Sequence, residues 1–101
     1  MASLSSGQRK FLCSKAHHLK PLVLVGKQGL TDTLVESVNV NLEAHELIKV
    51  RFNEHKDEKH SITDAIAEQA GAEIAGILGH VAIIYRPRRD PEKRTIKLPA
   101  S

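Results

Sequence analysis

Four consecutive apolar residues, Leu22-Val23-Leu24-Val25, stand between Pro21 and Gly26 and constrain the fold more than any other feature of the chain. A short continuous apolar run bounded by breakers reads as a strand covered on both sides. Proline drives the residue before it out of helical geometry, so a helix upstream must stop before Pro21. That helix is expected over residues 6–19. Ser5 with Gln8 forms a capping box, in which each side chain satisfies an orphan backbone N–H. Leu12, Ala16 and Leu19 recur at helical spacing and face the core, with Phe11 at the margin. At about 100° per residue, Lys10, Ser14, His17 and His18 fall on another side, with Arg9 between the two.

Downstream of the run comes Gly26-Lys27-Gln28-Gly29, then a second helix capped by the Thr31 hydroxyl, with Asp32 suiting the positive end of the dipole. Leu30 is expected to staple onto Val35, and Leu34, Val38 and Leu42 extend the apolar stripe. Residues 47–52 read as a second strand in which Leu47, Lys49 and Arg51 alternate with Ile48, Val50 and Phe52. The charged stretch 53–60 reads as a loop. Ser61 with Asp64 starts a third helix that turns Ile62, Ala65, Ile66 and Ala70 inward and stops at Gly71. Residues 72–85 form two antiparallel strands hinged at Gly79-His80. The order α-β-α-β-α-β-β defines a single compact α/β domain with a four-stranded mixed sheet, because helical crossovers make parallel pairs and the last hairpin is antiparallel. Periodicity leaves the strand order open. Residues 86–101 form a basic extended tail whose prolines and charges forbid a regular helix, and residues 95–98 are expected to dock as an edge strand.

At 101 residues the chain fits one domain, burying roughly two-thirds of its unfolded surface. A single cysteine, Cys13, excludes an internal disulfide framework and fits a reducing compartment. No apolar stretch approaches the roughly 20 residues of a membrane span, and the N-terminus has no secretory core, so a cytoplasmic location is expected. The formal charge of +3 is unevenly spread. Residues 1–31 carry five basic groups and no carboxylate; residues 32–85 hold four basic groups against ten acids; residues 86–101 hold six against two. Basic ends around an acidic middle point to a polyanion partner, if the ends meet in space. The plainer explanation is a solvated surface.

Context gives the Gly26-Lys27-Gln28-Gly29 segment its meaning, since Gly76-Ile77-Leu78-Gly79 has the same spacing. The second lies in an apolar stretch between two strands and is expected to serve a β-turn. The first has a basic interior, follows a strand and opens a helix, where glycines permit positive φ and free N–H groups favour a phosphate oxygen. A tight turn without a ligand is the competing explanation. Neither G-x-x-x-x-G-K-[ST] nor G-x-G-x-x-G is present, which argues against a mononucleotide site. A loop gripping consecutive phosphates of a polymer, as in KH domains, fits better.

With Phe11, Phe52 and Tyr85 its only aromatic residues, the chain cannot furnish an RRM- or OB-type stacking platform. Recognition is therefore expected to rest on phosphate, sugar and shape. Adjacent His17 and His18 diverge on a helix and cannot form an i, i+4 metal pair; His45, His55, His60 and His80 show no ligand spacing. No metal, cofactor or small-molecule substrate is expected. No nucleophile elbow or family-specific cysteine context supports catalysis.

The stretch Lys15-Ala16-His17-His18-Leu19-Lys20-Pro21, followed by Val23 and Val25-Gly26-Lys27-Gln28-Gly29-Leu30-Thr31, resembles the CRM domain, the chloroplast RNA splicing and ribosome maturation module. His45-Glu46-Leu47-Ile48-Lys49-Val50, Gly71 and Ile84-Tyr85-Arg86-Pro87 extend the likeness over residues 4–99. Length and ending resemble the stand-alone bacterial YhbY-type members. The resemblance implies a fold similar to the C-terminal domain of translation initiation factor three, RNA binding, and association with precursors of the large ribosomal subunit. It places RNA contact at Gly26, Lys27, Gln28 and Gly29, with Arg9, Lys10, His17, His18 and Lys20 on the neighbouring basic surface. Thr31 at the helix start joins this set, and Arg86, Arg88 and Arg89 are expected to reinforce it. The leading expectation is a non-enzymatic RNA-binding module with ribosomal RNA as partner. Two alternatives stand beside it. One is a protein-interaction factor docking through Glu36, Glu43 or Glu68; the other is a small RNA-processing enzyme with His17 or His18 as general base.

Overall fold

The computed structural model describes residues 4–100. Its elements are helix α1 (Ser6–Ala16), strand β1 (Val23–Val25), helix α2 (Asp32–His45), strand β2 (Leu47–Phe52), helix α3 (Lys59–Ala70) and the hairpin β3 (Glu73–Leu78) with β4 (Val81–Tyr85). The strand order is β1-β2-β4-β3. β1 pairs parallel to β2, whereas β4 lies antiparallel between β2 and β3. The α/β class and the mixed four-stranded sheet are thus as expected. The chain after α3 goes first to the far edge, and the hairpin returns β4 to the centre.

Two apolar clusters sandwich this sheet. On one face Val23, Val25, Ile48, Val50, Phe52, Ala82 and Ile84 meet Leu34, Val38 and Leu42 of α2 and Ile62, Ile66 and Ala70 of α3. On the other, Leu12 and Ala16 of α1 pack with Leu47, Ala75, Ile83 and Tyr85. The period-2 alternation of β2 puts Ile48, Val50 and Phe52 in the first cluster and Leu47 in the second, with Lys49 and Arg51 on the same face as Leu47.

Several boundaries differ from expectation. α1 stops at Ala16 rather than Leu19, with His17 and His18 in a turn. Leu19 is 40% exposed and gives the helix no third apolar repeat to bury. Lys49 instead donates to the carbonyls of His17 and Leu19, and the Leu22 N–H reaches Lys49 O, drawing the chain down into β1. β1 itself is covered on one side alone. Its order at the sheet edge leaves Leu22 and Leu24 47% and 55% exposed, because α1 packs on β3, β4 and β2.

α3 starts at Lys59 from a 3-10 turn, Lys56–Glu58, that feeds straight into it. Ser61 donates back to Glu58 O of that 3-10 turn instead of capping the helix. Gly76 lies inside β3, beside a register shift, and not in a β-turn. A Cβ there would lie 3.0 Å from Cys13 Sγ, so the close approach of α1 requires the missing side chain. The Gly79-His80 hinge is as expected.

The tail forms no edge strand. After a 3-10 turn at Pro91–Lys93 it docks irregularly, with Ile96 and Leu98 packed on the α1-side cluster. Glu46 holds it there. This residue ends α2 at φ 65°, and its fully buried carboxylate accepts from the N–H groups of Arg88 (2.7 Å), Thr95 (2.7 Å) and Ile96 (3.4 Å) and from the Thr95 hydroxyl (2.9 Å). Burial alone would raise its pKa. The donors from Arg88, Thr95 and Ile96 outweigh that and hold it below the ordinary carboxylate range.

A lowered folded-state pKa means that the stabilisation is complete above the unfolded value of about 4.3 and is lost as pH falls through the folded value. Glu46→Gln should therefore cost about 2 kcal/mol at pH 7, the scale of hydrogen bonds to a charged group. Urea denaturation from pH 7 down to pH 3 should show the gap between wild type and variant closing. A gap independent of pH would refute this role.

Candidate functional site

Gly26-Lys27-Gln28-Gly29 forms a tight corner at the carboxyl end of β1, leading directly to the N-terminus of α2. The Gly29 N–H donates to Gly26 O at 3.0 Å and closes the turn. That amide is therefore engaged inside the corner, contrary to a picture in which all its N–H groups face a ligand. Thr31 caps α2 as expected, its hydroxyl accepting from Leu34 N at 3.1 Å. The first-turn amides of Asp32 and Thr33 have no intrahelical partner. Together with exposed Lys27 and Gln28 they give the corner donors for an anion, opposed by the Asp32 carboxylate in the same turn and by Glu54 and Glu58 beside His55.

The two glycines do different work. Gly29 is buried at φ 65°, and a Cβ on it would come within 3.3 Å of the His55 ring. Gly26 has open space around it, and a Cβ on it would meet nothing within 4 Å. It leaves the outer surface of the corner low, which suits a ligand lying close against the backbone.

His55, absent from the sequence-based set, clamps the corner from the β2–α3 connection. Its Nε2 donates to Lys27 O at 2.7 Å, and its Nδ1 lies 3.5 Å from Glu58 Oε1. The Lys27 carbonyl is the main cause that raises its pKa above the ordinary imidazole value; desolvation, the next largest effect, opposes it, and the Glu58 and Glu54 carboxylates add smaller upward contributions. No sequence spacing could have revealed this contact, since 28 residues separate the partners. A left-handed φ of 56° at a histidine is the structural sign of the constraint.

The basic residues divide into groups. His17 and His18, with rings edge to face at 5.3 Å, follow α1 beside Lys49 of β2, and exposed Lys20 leads from them towards β1. Lys49 and Arg51 share one sheet face with Leu24, which pairs with Arg51 in register. Their alternation was visible in the sequence, but the neighbourhood of β1 was not. Arg9 and Lys10 are exposed on the first half of α1, Arg9 roughly 12 Å along the helix axis from His17. Arg9 also donates to Leu4 O.

Arg86 and Arg88 do not join this surface. They follow β4, whose antiparallel run ends beside Leu47, at the opposite end of the sheet from the corner. Arg86 donates to Asn39 Oδ1, to the carbonyls of Asn39 and Ala70, and to Glu43. Arg88 donates to the carbonyls of Glu43, Ala44 and Lys93. Both guanidinium groups thus cap the carboxyl ends of helices, where cations complement the dipole. Arg89 is exposed, at that same far end. Tyr85 is buried and offers no exposed ring.

Of the acids weighed for protein docking, Glu43 is paired with Arg86 at 3.4 Å, while Glu36 and Glu68 are exposed. Among the described residues no three His, Cys, Asp or Glu side chains gather as a metal site, and no helix is long and apolar enough to cross a membrane.

Gly29→Ala should destabilise the fold by about 1–2 kcal/mol, the cost of a left-handed non-glycine residue, whereas Gly26→Ala should leave it nearly unchanged. Paired urea titrations check this, and equal effects would contradict the division of labour. His55 should titrate in NMR with a midpoint above about 6.5, and Glu58→Gln should lower it. With a raised folded-state value, its contribution is complete below the unfolded pKa and fades as pH rises through the folded one. A midpoint below 6.5 would contradict the clamp.

Comparison with known proteins connects these features to a family. The profile of the CRS1 / YhbY (CRM) domain matches residues 4–86. A Haemophilus influenzae protein named as RNA-binding is 37% identical over 100 residues, 98% of each chain. The Bacillus subtilis protein named "Probable RNA-binding protein YqeI" is 33% identical, over 95% of this chain and 99% of that one. The solution structure of a hypothetical Staphylococcus aureus protein, described there as a candidate RNA-binding protein, superposes with a TM-score of 0.78. That alignment has 30% identity and covers 95% of this chain and 99% of that one.

Proposed function

The chain belongs to the CRS1 / YhbY (CRM) domain family, and from that premise we propose that it is a non-enzymatic RNA-binding protein that grips the RNA backbone at the Gly26–Gly29 corner. The observation carrying this reading is an exposed Lys27-Gln28 tip joined to the N-terminus of α2 and held in shape by Gly29 and His55. Phosphate oxygens meet Lys27 and the first-turn amides beyond Thr31. Lys20, His17 and His18 extend the track along β1, and Arg51 widens it across the sheet. Arg9 and Lys10 offer outlying charge on α1. The likeness to RNA-binding relatives along nearly the whole chain supports RNA as the polyanion.

The partner we assign is ribosomal RNA in precursors of the large subunit, as the family resemblance implies. A corner pre-formed in the free protein limits the ordering cost of binding. Affinity at such a site comes mainly from released counterions, which makes it steeply dependent on salt.

RNA affinity measured across a potassium chloride series tests this location. Lys27→Ala should weaken binding at all sequences and reduce the log–log salt slope by about one. Arg89→Ala, at the far end of the sheet, should leave the slope as it is. An unaltered slope for Lys27→Ala, or a larger loss for Arg89→Ala, would move the site away from the corner.

A further inference from the structure

Beside the corner a groove of about 720 Å³ follows the free edge of β1 and reaches the first turns of α2. Leu22, Leu24 and Leu34 contribute its apolar surface, Thr33 and Ser37 stand on the α2 wall, and Lys27 is at its mouth. Thr33 and Ser37 are four residues apart and share one helical face. Among the described residues no carboxylate lines the groove.

The placement of exposed apolar groups is uneven. Among the described residues, Leu19, Leu22, Leu24 and Leu30 are four of the six large hydrophobics that stay exposed, all within one stretch around the corner. β1 is an edge strand, so nothing in the sheet covers its outer side. An apolar surface with hydroxyls on one wall and a cation at its mouth matches a ligand with flat apolar faces, polar edges and an attached anion.

Resting on the RNA reading above, we infer that this groove receives unpaired nucleobases of a strand whose phosphates lie on the Gly26–Gly29 corner. Charge complementarity and continuity with the corner favour a nucleic-acid strand over an apolar peptide, which would have no use for Lys27 and the α2 N-terminus. The groove's size is within the range of small-ligand sites and suits one or two bases. Bases locked in a duplex cannot turn into it. The RNA recognised is therefore single-stranded at the point of contact, a loop or an unpaired segment. The wall hydroxyls can exchange hydrogen bonds with base edges, while the leucines pack on base faces without aromatic stacking.

Fluorescence anisotropy with a ten-nucleotide RNA, free of self-complementarity, is to be compared with the same strand in a blunt duplex. Wild type should prefer the single strand by about tenfold. The double variant Leu22→Ser/Leu24→Ser changes two exposed positions and no charge. It should lose about tenfold for the single strand, keep its salt slope and leave duplex affinity alone. The base analogue 2-aminopurine at successive positions should change emission on binding wild type and not the double variant. Circular dichroism confirms that the variant is folded. Equal affinity for the two RNA forms, or undiminished single-strand affinity in the double variant, overturns the groove while a Lys27→Ala slope change preserves the backbone site. Failure to bind either RNA overturns both.

Discussion

A buried carboxylate organises the end of the molecule from which the tail departs. Glu46 sits at the junction of α2 and β2 in a left-handed conformation, and its backbone carbonyl accepts from Arg86 N while its side chain receives Arg88, Thr95 and Ile96. An unpaired charge in this position would be prohibitive. The chain meets that demand with its own segment 88–96, so an irregular basic tail acquires a fixed course. Once the tail is held, Arg86 and Arg88 reach the carbonyl ends of α2 and α3 and satisfy groups that helix geometry leaves open.

The sheet therefore has two ends with different tasks. At one end, cations close helix termini and lock the tail onto Tyr85, Leu4 and the α1-side cluster. At the other, the carboxyl ends of the parallel strands β1 and β2 open onto the Gly26–Gly29 corner and His55. Ligands of open α/β sheets gather beyond the carboxyl ends of the strands, where loops and helix N-termini converge. The parallel β1–β2 pair reproduces that arrangement in a small domain. Basic residues near both chain ends consequently do not merge into one surface, although their sum of charge invites that picture.

What could be read from the sequence follows from how local each determinant is. The capping box at Ser5 and Gln8, the Thr31 cap, the Leu34–Val38–Leu42 stripe and the Gly79-His80 hinge depend on neighbours within a turn or two, and each is present. The third-helix cap fails for the same reason in reverse: the preceding 3-10 turn already supplies a helical start, and Ser61 bonds backward. Exposure of Leu22 and Leu24 was hidden because it depends on which strands α1 covers. The engagement of Arg86 and Arg88 was hidden because their acceptors on α2 and α3 lie 16 to 47 residues away. At the candidate site, the corner's position before α2 was legible, whereas its clamp by His55 needed the β2–α3 connection placed in space.

Rigidity and openness at the corner come from separate residues, and that separation bears on how it can bind. Gly29 and His55 shape the inner side, where a turn hydrogen bond, a left-handed φ and a ring contact leave little freedom. Gly26, Lys27 and Gln28 face outward with space above them. A flexible loop of the same composition would have to be ordered by its ligand, losing affinity to conformational entropy. Here the ordering is done during folding, and the side facing solvent is left low and positively charged. Because His55 donates to the Lys27 carbonyl, the side chain that would meet an anion springs from backbone already held in place. A point charge on a fixed base is better suited to choosing a backbone geometry than a base sequence, and it is the adjoining leucine-lined groove that adds discrimination between paired and unpaired strands.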